Sequence, residues 1–341
     1  MAIKVQGFMT SQPTKADFPV KFLNDTAIVK IPERLSVLEA LSFKQTCEEF
    51  TNQSVPPKQI IVDFQQTTFM DSSGLGALVS NFKIAQEKGV ELILRNVTPG
   101  VMAILSLTGL DKVFSIESGA SIAQQSSRQL EEQLPTTHPS VRSWMKRLID
   151  IVGSIVGLLI TAVLFIPIAV AIKIDDPGPI FFGQTRCGWM GQPFRIWKFR
   201  SMCKDAEAKK AELEKQNQVD RGIFKIKNDP RVTRVGRFLR RTSLDELPQF
   251  LNVLKGEMSL VGTRPPTPDE VARYEVPEWQ RLDVKPGMTG EWQVHGRSSI
   301  ENFEEVIRLD LQYQKNWNLL YDLKLILRTI AIVFHKNSGA T

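Results

Sequence analysis

The chain has 341 residues, 42% of them hydrophobic and 23% charged, with a formal net charge of +6. That length exceeds one ordinary domain and suits two, and the composition excludes wholesale disorder. The modest basic excess fits anionic partners (nucleic acid, anionic lipid or phosphorylated metabolites) without separating them. Residues 1–18 read as an N-terminal tail. The first twenty residues hold no continuous apolar run, so no cleavable signal peptide is expected and this end is expected to stay in the cytoplasm. From 19 to 117 the chain reads as an α/β domain, a mixed sheet with helices. The runs VKFL, AIVKI, IIVDF, ELILRNV and VFSI predict strands. Helices are predicted from Ser36 to Phe50, from Leu75 to Lys88 with Gly89 closing it, and after Pro99-Gly100. In the second of these Leu75, Leu78, Val79, Phe82 and Ala85 share one face, which marks them as core.

Residues 118–143 are polar, with scattered Ser and Pro, and read as a linker. An uncharged apolar run from Ile151 to Ile172 follows, roughly 33 Å as a helix, which matches the hydrocarbon thickness of a bilayer. Pro167 interrupts it, removing a backbone donor and predicting a kink or break. Lys146 and Arg147 before it and Lys173 after it leave no charge asymmetry to set an orientation. The expectation is a re-entrant hairpin over 148–173 that breaks at Pro167 and returns to the same face; a single bent span is the competing reading. Near the C-terminus LYDLKLILRTIAIVFHK, broken by Lys324 and Arg328, fits a membrane-surface helix and core packing equally.

The three cysteines, Cys47, Cys187 and Cys203, form no C-x-x-C pair, and the three histidines give no zinc spacing with them. A reducing cytosol fits better than a disulfide framework. Arg231, Arg234, Arg237, Arg240 and Arg241 recur at spacings near three, so a helix from Pro230 to Arg241 would carry most of them on one side. No acid interleaves them, which points to a phosphate-rich surface or ligand; no groove-reading motif accompanies them, which argues against nucleic acid. In Thr242-Ser243-Leu244-Asp245-Glu246, the S-x-x-E spacing of Ser243 and Glu246 predicts a capping box. The same placement keeps Asp245 ionised beside the arginine row, as a nucleophile attacking phosphorus requires.

Residues 144–341 read as one domain, and from about Trp144 to His335 it resembles the bacterial sugar transferases, the monotopic phosphoglycosyl transferases. The resemblance rests on D-P-G-P-I-F-F (Asp176 to Phe182), K-F-R-S-M (Lys198 to Met202), S-L-D-E-L-P-Q (Ser243 to Gln249), L-N-V-L-K-G-E-M-S-L-V-G (Leu251 to Gly262) and K-P-G-M-T-G (Lys285 to Gly290) leading to H-G-R. It implies a mostly α-helical domain with a re-entrant hairpin, attached to the inner membrane with its soluble parts in the cytoplasm. It implies that Asp245 attacks the β-phosphate of a UDP-sugar, releasing UMP, and that polyprenyl (undecaprenyl) phosphate then takes the phospho-sugar, as the first membrane step of exopolysaccharide or glycan synthesis. It further implies that Glu246 joins Asp245 in holding Mg2+, and that Lys198, Arg200, Arg240, Arg264, Arg297 and Asp322 bind substrate phosphate. Two departures stand out: Ile166 precedes Pro167 where the family has serine, and Thr263 replaces proline in G-P-R-P.

The front domain, 19–117, resembles the STAS fold of anti-sigma-factor antagonists through Phe69-Met70-Asp71-Ser72-Ser73-Gly74-Leu75-Gly76. The resemblance implies phosphorylation at Ser73, with Ser72 the alternative, and docking of a kinase or regulatory protein; the bland alternative is that Asp71 or Ser72 caps the helix. A homodimer is compatible with all of this. The alternative to an active transferase is a non-catalytic membrane adaptor that binds polyprenyl phosphate. An anion transporter is excluded, because one apolar segment cannot build a transport path.

Overall fold

Residues 18–117, 134–213, 229–295 and 302–334 are described by a computed structural model. The chain divides into two units, meeting at Pro135 and Thr136 in sequence.

In the first unit the β-branched runs form a five-stranded sheet in the order β1 (Val20–Leu23), β2 (Thr26–Lys30), β4 (Gln59–Asp63), β6 (Glu91–Arg95), β7 (Ser115–Glu117). The β1–β2 pair is antiparallel and the other pairs are parallel, which gives the mixed sheet expected. A small parallel pair, β3 (Arg34–Leu35) and β5 (Phe69–Met70), lies outside it. Helices α1 (Val37–Thr51) and α2 (Ser72–Glu87) pack on each other, and α3 (Pro99–Thr108) packs on β5. Gly89 takes a left-handed φ of 71° just past α2, the conformation that ends a helix at least cost for glycine.

The second unit is mostly helical. Residues 136–143, read above as the end of a linker, instead pack on this unit. Trp189 Nε1 donates to Thr137 Oγ1 (2.8 Å), and His138 Nε2 lies 3.0 Å from the Gln314 carbonyl. One long helix, α4 (Trp144–Asp175), carries the apolar run. Helical structure continues through Pro167, with no turn dividing the run, so the re-entrant hairpin is not shown. The physical reason lies in the packing of the helix. Leu164 and Phe165, before the proline, and Ile168 and Ile172, after it, enter one core cluster with Phe199 and Leu239, so both sides of the proline pack on the same core.

The face of α4 turned to the body is fastened at nearly every turn. Lys146 donates to Asp322, Arg147 to the Val253 and Leu254 carbonyls, and Asp150 accepts from Ser259 and the Leu260 N–H. Gly157 lies so close to Phe250 that a Cβ there would meet its ring at 2.4 Å. The opposite face exposes Val152, Ile155, Val156, Leu159, Val163, Ile166, Val170 and Ile174. Among the described residues this is the one helix long and apolar enough to cross a membrane.

After α4 come an antiparallel hairpin of β8 (Phe181–Cys187) and β9 (Pro193–Phe199), helix α5 (Arg234–Arg241), a 3-10 turn (Leu244–Gln249) and helix α6 (Phe250–Lys255). Strands β10 (Ser259–Val261) and β11 (Gly287–Thr289) form a parallel pair. Helices α7 (Phe303–Asn316) and α8 (Leu319–Phe334) close the unit. One face of α8 packs on the core and the other is exposed. Asp322 and Leu325 are buried, while Leu320, Leu323, Leu327 and Ile330 are exposed beside Lys324 and Arg328.

Candidate active site

Helix α5 begins later than expected, at Arg234. Thr233 Oγ1 accepts from Gly236 N, and Asp175 Oδ2, the last residue of α4, accepts from Val235 N at 2.8 Å. Arg231 lies before the helix and is buried in a pair with Asp229 (2.6 Å), so the arginine row does have an acid beside it. Gly236 permits close contact with the K-F-R-S-M segment: a Cβ there would stand 1.9 Å from the Ser201 carbonyl oxygen. The same contact brings Arg240 Nε to Ser201 Oγ at 3.0 Å.

The chain then turns sharply. Ser243 takes a left-handed φ of 57° and makes no side-chain cap, so the capping box is not formed. The following residues instead wind as a 3-10 turn, in which Leu244 and Leu247 enter the Phe199 and Leu239 cluster. The apolar anchors fix the two residues between them. Asp245 is buried, and Glu246 is partly exposed with its Oε1 2.9 Å from Lys198 Nζ on β9. Burial pushes the Arg240 guanidinium below its ordinary range, and the Asp245, Asp229 and Glu246 carboxylates pull it back up. Asp245, Glu246, Lys198 and Arg240 therefore form one charged cluster.

Other expected site residues have partners elsewhere in the unit. Arg200 is buried against the D-P-G-P turn, donating to the Asp176 carbonyl, with Nη1 3.4 Å from Asp176 Oδ2. Arg264 pairs with Glu270 through both terminal nitrogens (2.6 and 3.1 Å). Thr263, the departure from the family's proline, donates its hydroxyl to the Arg281 carbonyl at 3.1 Å. Asp322 accepts from Lys146 (2.6 Å), Tyr313 (2.9 Å) and Trp317 (3.1 Å). Arg297 lies outside the described residues. In the first unit Asp71 caps α2 by accepting from Gly74 N at 2.9 Å, and burial pushes its carboxyl up to about 6. Ser72 and Ser73 are both fully buried.

Asn252 was not singled out from sequence. Fully buried on α6, it donates from Nδ2 to the Arg195 carbonyl (2.7 Å) and to Glu257 (2.6 Å), and it accepts from Trp197 N at 3.3 Å. Its amide thus pairs with the backbone of β9 just before Lys198. The sequence signal was available: an asparagine among Phe250, Leu251, Val253 and Leu254 is a polar group at an apolar position, and such a group must be bonded when buried.

The profile of the bacterial sugar transferases matches residues 141–336, more than half of the chain, and that of the STAS domain matches residues 17–123. The chain belongs to the bacterial sugar transferase family. Its second unit is similar to the galactosyl transferase CpsE of Streptococcus agalactiae serotype III, 50% identical over 188 residues, which are 55% of this chain and 42% of that protein. It is 43% identical over 200 residues to the undecaprenyl-phosphate galactose phosphotransferase of Salmonella typhimurium, over 58% of this chain and 42% of that one. The exopolysaccharide production protein ExoY of Rhizobium meliloti is 40% identical over 192 residues, 55% of this chain and 84% of its own length. The match thus spans less than half the length of the first two relatives. Among solved structures, an anti-sigma-factor antagonist (STAS) domain protein from Planctomyces limnophilus covers 35% of this chain and 98% of its own, at 22% identity and a TM-score of 0.28.

Proposed function

We propose that this family member transfers a phospho-sugar from a UDP-sugar to polyprenyl phosphate through a covalent intermediate on Asp245. The observation that carries the reading is the placement of buried Asp245, between two partly buried leucines that pack on the core and within the field of Arg240, beside the Lys198–Glu246 pair. A carboxylate needs such company to approach a diphosphate of like charge. In the first step an Asp245 carboxylate oxygen bonds to the β-phosphorus, and the bond from that phosphorus to the bridging oxygen breaks. UMP leaves with the electron pair. In the second step a phosphate oxygen of polyprenyl phosphate bonds to the same phosphorus, Asp245 departs as carboxylate, and the product is a polyprenyl diphospho-sugar. Arg240 and Lys198 steady the equatorial phosphate oxygens through both steps.

The donor set fits Mg2+. That ion takes one or two carboxylates together with substrate phosphates rather than an all-protein cage, and Asp245 and Glu246 are adjacent carboxylates in one charged cluster. Asp245 and Glu246 would hold it, and when bound it would neutralise phosphate charge.

Detergent-purified full chain, supplied with Mg2+, undecaprenyl phosphate and each of a set of UDP-sugars in turn, should release UMP with one donor. No release from any donor by folded protein would favour a non-catalytic adaptor.

The membrane reading is attachment to one leaflet from the cytoplasmic side. Thirty-two residues make a helix of about 48 Å, and its buried polar fastenings run from Lys146 to Asp175. A transverse span would drag Asp150, Ser259 and the Asp322 network into hydrocarbon, at several kcal/mol for each polar group left unsatisfied. In a variant with Cys203 replaced by Ser, cysteines placed at the exposed polar flanks of α4, Arg142 and Lys173, should react with a membrane-impermeant thiol reagent from the same side. Labelling from opposite sides would overturn this attachment.

The regulatory reading assigns the first unit to receiving a signal at Ser73 or Ser72. With both side chains buried, a kinase could reach them only after the start of α2 opens.

A further inference from the structure

Asn81 and Asn252 are both buried asparagines, and they differ in what surrounds them. Asn252 of the second unit bonds through both ends of its amide. Asn81, in the middle of α2 in the first unit, is 2% exposed, and neither its Oδ1 nor its Nδ2 has a hydrogen-bond partner. Among the described residues it is the one side chain with a buried donor and a buried acceptor both unbonded. Ser73 Oγ, about two turns before it, is also buried and unbonded. Ser73, Ala77 and Asn81 follow one another at steps of four, which sets them in one stripe along the helix, and all three are buried. The helix that carries this stripe packs on α1, β5 and β6. An amide moved from water into such a seat loses its bonds to water and regains none, so it weakens the packing that covers it. Loose fit is not the cause. At the head of the helix a Cβ on Gly74 would stand 2.5 Å from the Leu35 carbonyl oxygen. The cap adds to the weakness, because burial pushes the Asp71 carboxyl up to about 6 and so disfavours its charged form. The central strands differ: β4 buries Ile60, Ile61 and Val62, and β6 buries Leu92, Ile93 and Leu94.

We propose that Asn81 is a built-in destabiliser of the seat of α2, so that this helix opens as one piece ahead of the sheet and uncovers Ser73 as it does so. The inference deepens the regulatory reading given above, in which a kinase reaches Ser73 or Ser72 only after the start of α2 opens, by naming what makes the opening easy. It stands on the packing of the first unit alone, and its test needs no kinase.

The test is hydrogen–deuterium exchange of the full chain in detergent, read by mass spectrometry on peptides from α2, β4 and β6. In the unchanged protein the amides of α2 should exchange well before those of β4 and β6, whose exchange waits on unfolding of the whole unit. Asn81→Leu keeps the branched shape of the side chain and removes both polar atoms. It should slow exchange in α2 about ten-fold, the effect of relieving a buried unbonded polar group. Asn81→Ala removes the amide without any crowding, and it should slow exchange less because it leaves a space behind. Slower exchange in α2 with either variant supports the assignment; if leucine speeds it and alanine slows it, the leucine is crowded and the alanine result stands. The assignment is overturned if neither variant slows α2, because the amide would then be holding the helix in place. It is overturned equally if α2 of the unchanged protein exchanges no sooner than β4 and β6, because the helix would then open only with the whole unit.

Discussion

Replacing Asp245 by Asn is expected to abolish UMP release, by roughly 10^4-fold or more, while leaving the fold intact. Losses of that size are typical when the nucleophile of a covalent mechanism is removed. The amide is isosteric with the carboxylate, and Leu244 and Leu247 continue to anchor the turn on either side. Two measurements decide it. One is the rate of UMP release with undecaprenyl phosphate present; the other is capture of a radiolabelled phospho-sugar on the protein when the lipid acceptor is withheld. The unchanged protein should retain label and the variant should not. Label retained by Asp245→Asn would move the nucleophile to another residue, and release without any trapped label would indicate direct transfer between the two substrates.

The second large effect concerns stability rather than rate. Lys146 and Asp322 form an ion pair at 2.6 Å with both side chains nearly excluded from solvent, 7% and 2% exposed. Tyr313 and Trp317 complete the hydrogen bonding of the carboxylate. Asp322→Ala would leave a buried ammonium without its counter-charge, which costs about 3–5 kcal/mol. The full chain should therefore unfold at markedly lower temperature or denaturant concentration, with the folded fraction keeping its affinity for UDP-sugar. Lys146→Met combined with Asp322→Leu should recover part of the loss, because no lone charge remains. If Asp322→Ala instead left stability unchanged and weakened donor binding, Asp322 would belong with the phosphate-binding residues.

Several of these features could be read from sequence and others could not, for reasons that differ residue by residue. The sheet of the first unit was legible because its strands are short β-branched runs separated by turn residues, with Gly89 marking the end of α2. The charged cluster at Asp245 was legible only through family resemblance. The local spacing of Ser243 and Glu246 argued for a capping box, whereas tertiary packing of Leu244 and Leu247 imposed a left-handed residue and a 3-10 turn. Lys146 read as a charge flanking an apolar run, and nothing local could disclose a partner 176 residues away. Arg264 differs, since its partner Glu270 is only six residues on, in the short helix after Thr267; Asn252 bonds both the nearby Glu257 and the backbone of a strand more than fifty residues earlier, and only the need for some partner was legible. Pro167 misled in the opposite direction. A proline removes one hydrogen bond from a helix, but a core packed on both sides of it can keep the chain helical.

The 3-10 turn has a consequence for how the site can vary. Its residues advance by about 120° each, against about 100° in an α-helix, and the two adjacent acids have different surroundings. One is sunk beside the core and the other reaches the lysine of the neighbouring strand. The shorter acid is the buried one, and the longer one is paired with Lys198 at 2.9 Å. Writing the pair in reverse, Glu then Asp, would preserve charge, composition and helix propensity yet crowd the inner position and leave Lys198 out of reach. The order of these two letters is therefore part of the chemistry, and a chain that carried them exchanged would keep the fold while losing the arrangement.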